Sequence, residues 1–344
     1  MMIPVTILTG FLGSGKTTML AHMLRQPAFS RTAVLINEFG EVGLDHDLVA
    51  ASEESFVELS TGCLCCKVRG DLAATLADLI VRRDAGTVMA FERVVIETSG
   101  LADPAPILHA LMTDNVLAER FTLAGVVSTV DALHGAANLD REPIAVKQVA
   151  VADRLVLTKA DLVATADAGL AERIRALNPA APIVVAQHGH IDPAYLADAG
   201  LHGRRWQDGD LLAWLRAEEA NAALERHDAE VQTYAIVREA PIHAVALTLF
   251  LEALAEHAGS GLLRLKGLVS VIEHPAQPAV VHGVQHVFYP LDWLDRWPSA
   301  DRRSRIVLIV RKIPRGWVEA LLSAIEAEVT ETRARPRGDA VSPT

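Results

Sequence analysis

Apolar runs and segments of helical spacing alternate over about the first two-thirds of the chain. Segments such as 71–83 and 167–177 space their apolar residues as amphipathic helices do. The runs with the composition of buried strands lie at 3–9, 32–36, 56–59, 94–97, 125–130, 154–157 and 182–185. Strands that alternate with helices form a sheet covered on both faces. The pattern predicts an α/β fold with a doubly wound, mostly parallel sheet.

The order of elements changes after about residue 205. An Ala-, Leu- and Glu-rich stretch at 206–230 predicts a helical connector. The strands predicted beyond it lie at 232–237, 263–272, 279–288 and 305–310, with helices at 243–257 and 317–329. We therefore expect a first domain at 1–205, a second, smaller α+β domain at 231–330, and a disordered tail rich in Arg and Pro at 331–344.

Composition argues against several classes of protein. A formal net charge of −11 over 344 residues provides no broad basic surface for nucleic acid. No apolar run reaches the roughly 20 residues that span a bilayer, and the N-terminus lacks the pattern of a signal peptide. The three cysteines fall within four positions, which cannot build a disulfide framework. We expect a cytoplasmic protein that binds neither nucleic acid nor membrane.

The strongest chemical signal follows the first strand. Residues 10–17 read GFLGSGKT and precede a helical run. Glycines allow this loop to curl with its N–H groups inward, and the helix N-terminus adds positive charge where phosphates bind. The candidate phosphate-binding residues are Gly10, Gly13, Ser14, Gly15, Lys16, Thr17 and Thr18. Lys16 is the candidate catalytic cation at the β- and γ-phosphates and Thr17 the candidate Mg²⁺ ligand, whereas a glycine-rich turn without a ligand is the alternative.

Two further candidates end the run at 94–97. Glu97 is placed to hold Mg²⁺ through water or to orient the attacking water, so it is a candidate catalytic residue. The N–H of Gly100 is placed to sense the γ-phosphate. A glutamate that only caps the next helix is the alternative for Glu97.

A candidate base-reading segment follows the run at 154–157. Asp161 would accept hydrogen bonds from N1 and N2 of guanine, a pattern that adenine does not offer, while the stem of Lys159 covers the base. Thr158 stands where asparagine is the commoner first residue of the N-K-x-D motif. A simple helix cap is the alternative.

The cysteines form the candidate metal site. Cys63, Cys65 and Cys66 precede the predicted helix near residue 71, and three soft ligands suit Zn²⁺, Cu⁺ or Co²⁺. Cysteines this close together cannot all face one ion from a regular helix or strand, so we expect a looped backbone hinged at Gly62. A redox pair or inert buried thiols are the alternatives.

An acidic segment follows the second strand. Residues 37–45 read NEFGEVGLD and are expected to act as a switch. Glu38, Glu41 or Asp45 would contact Mg²⁺, the hydrolytic water or the cysteine-bound metal. Glu38 is the candidate catalytic residue and Glu41 the candidate ligand of the transition metal, whereas a solvated acidic turn is the alternative.

These motifs together resemble the CobW-type metallochaperone GTPases, relatives of the urease and hydrogenase accessory GTPases. The segments that carry the resemblance are 10–18, 37–45, 62–66, 97–100 and 158–161, with RLKG at 264–267 and GVQH at 283–286 for the second domain. The resemblance implies a P-loop GTPase sheet, slow GTP hydrolysis influenced by metal, and zinc or cobalt at the cysteines. The scattered histidines, including His188 and His190, do not favour a histidine-rich metal store.

The sequence hypothesis is a GTP hydrolase that couples its nucleotide state to binding and delivery of a transition metal. Its expected cofactors are GTP, Mg²⁺ and Zn²⁺ or Co²⁺. Its expected partners are GTP, GDP and a metal-requiring client protein, with a homo-oligomer left open. A P-loop phosphotransferase acting on a small acceptor and a non-catalytic, nucleotide-gated zinc regulator are the alternatives.

Overall fold

The computed structural model describes residues 2–37, 57–58, 64–68, 72–163, 168–197 and 230–334. The chain divides into two compact units, Met1–Ala217 and Glu218–Thr344. The division between them falls outside the described residues, as does almost all of the predicted connector at 206–230. The domain limits and the connector helix therefore stay predictions.

An eight-stranded sheet forms the centre of the first unit. Its strands are β1 (Ile3–Gly10), β2 (Thr32–Asn37), β3 (Val57–Glu58), β4 (Leu64–Val68), β5 (Arg93–Thr98), β6 (Phe121–Asp131), β7 (Arg154–Thr158) and β8 (Ile183–Val185). Their order is β3-β4-β2-β5-β1-β6-β7-β8, and every neighbouring pair is parallel except β3 with β4. The predicted mostly parallel sheet is confirmed.

Helices pack on both faces of this sheet. They are α1 (Lys16–Leu24), α2 (Leu72–Asp84), α3 (Ala105–Thr113), α4 (Asn115–Arg120), α5 (Gly135–Arg141), α6 (Pro143–Ala150), α7 (Ala168–Leu177) and α8 (Pro193–Ala197). Leu155 and Leu157 of β7 pack among buried side chains of α5 to α7, whereas Val156 packs with Met19 and Met23 of α1. Because both faces are covered, the carboxyl ends of the strands remain as the place where loops can meet a ligand.

The cysteine segment differs from the expectation. Cys65 and Cys66 lie in β4, where their Cα partners in β2 are Val34 and Leu35. The looped backbone expected for these two residues is therefore wrong. A strand is favoured there because pairing with β2 satisfies the backbone N–H and C=O groups. Cys63 lies outside the described residues.

The second unit is built on a six-stranded antiparallel sheet. Its elements are β9 (Val231–Arg238), α9 (Ala244–Ala258), β10 (Leu262–Val269), β11 (Ala279–Val284), β12 (Val287–Phe288), β13 (Asp292–Trp293), β14 (Ser304–Arg311) and α10 (Arg315–Ala334). The strand order is β12-β11-β10-β14-β9, with β13 paired to β11. Phe250 of α9, Leu322 of α10, and Leu265 and Leu308 of the sheet share one buried core. The predicted smaller α+β domain is confirmed.

Two segments of this unit depart from the predicted pattern. The strand predicted at 279–288 is a hairpin, in which Gly283 and Val284 pair with Phe288 and Val287. Gln285 adopts a positive φ of 52°, as a tight turn of this kind requires. The last helix continues to Ala334, past the predicted start of the tail at residue 331.

No helix in the described ranges is long and apolar enough to cross a bilayer. The cytoplasmic location stays a prediction.

Candidate functional site

The loop between β1 and α1 is fixed against β6. Gly10 has a φ of 140°, and a Cβ there would lie 2.3 Å from Thr129 Oγ1 and 2.5 Å from the Thr129 carbonyl oxygen, so only glycine fits. Ser14 Oγ and Thr129 Oγ1 are hydrogen-bonded at 2.6 Å. Gly15, with a φ of 87°, turns the chain into α1. These contacts hold the loop in one curled conformation.

Lys16 places its charge within this loop. The residue is 8% exposed, and its Nζ donates to the carbonyl oxygens of Gly10 at 2.8 Å and Phe11 at 3.3 Å. The first turn of α1 adds backbone N–H groups that a helix does not itself satisfy. A curled glycine loop, an ammonium group and a helix N-terminus together fit a polyphosphate.

Thr17 and Glu97 meet beside the loop. Thr17 Oγ1 donates to Glu97 Oε1 at 2.5 Å, and Glu97 is 4% exposed at the end of β5. β5 pairs directly with β1, which brings the strand end to the phosphate loop. A hydroxyl and a carboxylate are the hard oxygen ligands that Mg²⁺ prefers, so these residues fit the ion.

The turn after β5 touches the loop. A Cβ on Gly100 would lie 2.7 Å from both Cα and N of Leu12, so the two backbones are in direct contact. Thr98 Oγ1 also donates to Thr9 Oγ1 at 2.9 Å. The structure thus brings Glu97 and Gly100 together with the phosphate loop.

The segment after β7 is tied to the same loop. Thr158 Oγ1 donates to the carbonyl oxygen of Ser14 at 2.6 Å. Lys159 has a φ of 57°, and its Nζ donates to Asp131 Oδ2 at 2.8 Å. Thr158 and Lys159 therefore lie beside the phosphate loop, with Asp161 two residues further on.

Two residues of this region were not predicted from the sequence. Asp131, 4% exposed at the end of β6, accepts from Lys159 and also from the N–H groups of Leu133 and His134. An acid that ends an apolar run, as Glu97 does, is the signal that could have found it. His188 Nδ1 lies 3.2 Å from Asp161 Oδ2, but a single exposed histidine gives no such signal.

The loop that carries His188 rests on α1. His190 stacks on His22 with ring centroids 4.3 Å apart. Burial, followed by the charges of His190 and Arg25, lowers the pKa of His22 below its usual range. A Cβ on Gly189 would lie 3.0 Å from His22 Nδ1, so the loop and helix are close-packed. The loop after β8 thus contacts α1 through His190 and Asp161 through His188.

The predicted metal site is described only at its backbone. Glu38, Glu41 and Cys63 lie outside the described residues, whereas Cys65 and Cys66 lie in β4. Within the described ranges, no group of three or more His, Cys, Asp or Glu side chains is arranged to hold a metal ion. The strand register nevertheless relates the cysteines to the nucleotide site, because Lys67 of β4, Ile36 of β2 and Glu97 of β5 are consecutive Cα partners.

Comparison with known proteins covers both units. The family model described as CobW/HypB/UreG, nucleotide-binding domain, matches residues 4–185. The model described as the cobalamin synthesis protein cobW C-terminal domain matches residues 231–326. Both expectations of the sequence resemblance, for the first and the second domain, are thus confirmed.

Individual relatives can be aligned with nearly the whole chain. The zinc chaperone YjiA of Escherichia coli (strain K12) is 32% identical over 327 residues, which are 94% of this chain and 98% of that protein. The zinc chaperone CobW of a Sinorhizobium species is 31% identical over 343 residues, covering 89% of this chain and 92% of that protein. The crystal structure of Zn(II)-bound YjiA GTPase from E. coli has a TM-score of 0.73 at 31% identity, covering 94% of this chain and 99% of that one. This chain belongs to the CobW/HypB/UreG family.

Proposed function

We propose that the protein is a GTPase that binds a transition metal ion, zinc before cobalt, and couples its nucleotide state to delivery of that ion to a client protein. The YjiA and CobW relatives are named zinc chaperones, which supports the zinc part, and the zinc-bound YjiA GTPase structure supports the joint use of zinc and GTP. Delivery of the ion to a client protein is the additional step that we propose.

The contacts around the phosphate loop support the GTPase part. Lys16 would bind the β- and γ-phosphates, and Thr17 with Glu97 would hold Mg²⁺, which supplies charge neutralisation on the phosphates when bound. The Gly100 turn touches the loop and would sense the γ-phosphate. Asp161, beside Thr158 and Lys159, would select guanine. Glu38 would orient the hydrolytic water.

The observation that carries the coupling is the register of three neighbouring strands. β4 contains Cys65 and Cys66, β2 leads into the predicted switch at 37–45, and β5 ends at Glu97 and Thr98. Because neighbouring strands lie about 4.8 Å apart, two strand spacings put the backbone of β4 about 10 Å from that of β5. A movement of the switch after β2 would therefore reach both sites. Cys63, Cys65, Cys66 and Glu41 are the proposed metal ligands.

The two alternatives predict different chemistry. A P-loop phosphotransferase would move phosphate to a small acceptor and would be indifferent to zinc. A nucleotide-gated zinc regulator would release no phosphate. The hydrogen bond between Thr158 and the phosphate loop supports the GTPase, because Asp161, three residues further along the chain, would then accept hydrogen bonds from a guanine base.

A single-turnover assay on the zinc-loaded full chain tests the proposal. Phosphate release from Mg·GTP is followed with one reporter and zinc transfer to a fluorescent chelator with another. We expect zinc to appear at the rate of phosphate release, and ATP to support neither. Lys16→Ala should slow phosphate release by about 10²-fold, since it removes a preorganised cation from the phosphates, and should slow zinc transfer equally.

Three results would contradict the proposal. Phosphate release with zinc retained would favour separate functions. Zinc binding without phosphate release would favour the regulator, and phosphate transfer to a small acceptor in place of water would favour the phosphotransferase. A non-hydrolysable GTP analogue serves as the control, for which no zinc transfer is expected.

A further inference from the structure

One buried polar side chain outside the predicted site holds the turn after β5. Gln148 of α6 is 1% exposed. Its Nε2 donates to the carbonyl oxygens of Gly100 and Ala102, both at 3.1 Å. A single amide group thus fixes two carbonyl groups of the turn whose Gly100 touches the phosphate loop.

The position of Gln148 on α6 makes its polarity informative. Its helix neighbours Ala145 and Val149 are buried in an apolar core, where a leucine or methionine would pack without the cost of burying an amide. The cost of burying this amide is offset by its hydrogen bonds, and both of the bonds made by Nε2 go to the Gly100 turn. The amide satisfies two carbonyl groups of the Gly100 turn and so links α6 to that turn.

Gln148 also lines a small cavity beneath the phosphate loop. Gln148 and Ser128 line this cavity together with Ser14 and Thr129, which form the contact between the phosphate loop and β6. Within the described part of the chain, neither Gln148 Oε1 nor Ser128 Oγ makes a hydrogen bond, and both atoms are buried. The cavity is about large enough for one water molecule, and its lining combines these polar groups with apolar side chains such as Leu139. Gln148 thus lies between the turn and the underside of the loop.

We propose that Gln148 is a positioning residue that holds the Gly100 turn against the phosphate loop and thereby sets the preference for GTP over GDP. The inference rests on the proposed GTPase function and deepens it. Gly100 lies against Leu12 of the phosphate loop, where its N–H would donate to a γ-phosphate. GDP has no γ-phosphate, so its binding does not depend on the turn.

A neighbouring contact provides a matched control. Lys147, next to Gln148 on α6, forms an ion pair with Asp103 at 2.9 Å, and both side chains are partly exposed. It ties α6 to the same stretch of chain but does not reach Gly100. Lys147→Met therefore removes a contact of α6 with this stretch while leaving the hydrogen bonds to Gly100 and Ala102 in place.

The test compares Gln148→Met and Gln148→Leu with Lys147→Met in the full chain. Dissociation constants are measured for GDP and for a non-hydrolysable GTP analogue, together with kcat and KM for GTP. For both Gln148 variants we expect analogue binding to weaken about 10-fold or more, as loss of two buried hydrogen bonds implies, with GDP binding within about 2-fold of wild type. Hydrolysis should fall in kcat, and Lys147→Met should match wild type.

A second measurement uses the wild-type protein, so it does not depend on whether a variant folds. Hydrogen exchange of peptides covering the Gly100 turn and α6 is compared with GDP and with the analogue. Both peptides should gain protection with the analogue only. Equal weakening of GDP and analogue, wild-type behaviour of the Gln148 variants, or protection of the turn without α6 would each overturn the inference.

The same data separate this inference from the proposed function. Wild-type protein that releases no phosphate from GTP overturns the proposed function and the inference with it. Wild-type protein that hydrolyses GTP, beside Gln148 variants with an unchanged preference for the analogue over GDP, overturns only the role of Gln148.

Discussion

Thr158 stands at the first position of the predicted base-reading segment, where asparagine is the commoner residue, and its contacts show what the threonine does there. Its hydroxyl donates to the Ser14 carbonyl at 2.6 Å, and a Cβ on Gly15 would lie 3.5 Å from the Thr158 side chain. The threonine thus fills the space beside the loop and supplies a donor to it. The predicted base-reading segment is thus joined to the phosphate loop at this residue.

Replacing Thr158 with valine removes this donor while keeping the shape of the side chain. We expect GDP and GTP affinity to fall together by about 10-fold, because the buried Ser14 carbonyl loses its partner at a cost of about 1–2 kcal/mol. Thr158→Ser keeps the hydroxyl and should bind within about 2-fold of wild type. Titration with a fluorescent GDP analogue measures both variants, and wild-type affinity for Thr158→Val would show that the hydrogen bond does not support binding.

The residues of the phosphate loop were predictable because they are consecutive and their chemistry is local. A glycine-rich turn followed by a lysine at the start of a helix has few uses other than phosphate binding, and Gly10, Gly13 and Gly15 do adopt positive φ. Asp131 and His188 were not predicted, because each acts on a residue far away in the sequence that only the fold brings near. Gln148 gave no signal either, since an amide on an apolar helix face has no pattern of its own.

Helices and strands were predicted correctly where the hydrophobic periodicity was strong. They were predicted wrongly where a two-residue turn or pairing with another strand determines the backbone conformation. The alternation of strands and helices was enough to predict the parallel sheet, because each strand buried on both faces needs helices that cover it. The strand predicted at 279–288 is interrupted at Gln285, since two residues suffice to turn an antiparallel hairpin. The strand through Cys65 and Cys66 forms by pairing with β2. The local sequence pattern around the cysteines contains no information about that partner strand.

A glutamate between elements fixes the start of α9 in the second unit. Glu273 Oε2 accepts from the backbone N–H of Ala244, the first residue of the helix, at 2.9 Å. Its Oε1 accepts from Arg333 near the end of α10 at 2.8 Å and lies 3.1 Å from His243 Nδ1. Burial opposes its ionisation, but these hydrogen bonds outweigh burial and lower the pKa of Glu273 from 4.5 to about 2.

Glu273→Gln should destabilise the second unit by about 1 kcal/mol at pH 7, the usual worth of a helix cap. The folded pKa lies below the unfolded one, so the ionised carboxylate adds stability above about pH 4.5, and this contribution is lost as the pH falls towards about 2. The difference between wild type and variant should shrink over that range. Urea unfolding followed by hydrogen exchange of α9 and α10 peptides measures it.

Glu252→Gln is the matched control, because Glu252 is an exposed glutamate on α9 and the charge change is the same. It should leave stability within about 0.5 kcal/mol of wild type. A Glu273→Gln variant that keeps wild-type stability at pH 7, or a difference that grows as the pH falls, would contradict the capping role of Glu273.

At the scale of the whole molecule, two sites are expected to share one part of the first sheet. The cysteine strand β4 and the Glu97 strand β5 flank β2, and β2 leads into the acidic segment that follows it. A γ-phosphate that orders this segment would change the surroundings of the cysteines. We therefore expect a coupling free energy between zinc and nucleotide binding, which is reciprocal by thermodynamic linkage.

Calorimetric titration of zinc into the reduced full chain tests this coupling most directly, once with GDP and once with a non-hydrolysable GTP analogue, beside Cys65→Ser. We expect zinc dissociation constants that differ by about 10-fold or more between the two nucleotide forms, corresponding to about 1.4 kcal/mol of coupling. We also expect Cys65→Ser to lose the tight site in both forms. Equal zinc affinity in the two forms, or tight binding that persists in Cys65→Ser, would show that nucleotide and zinc are not coupled through the cysteines.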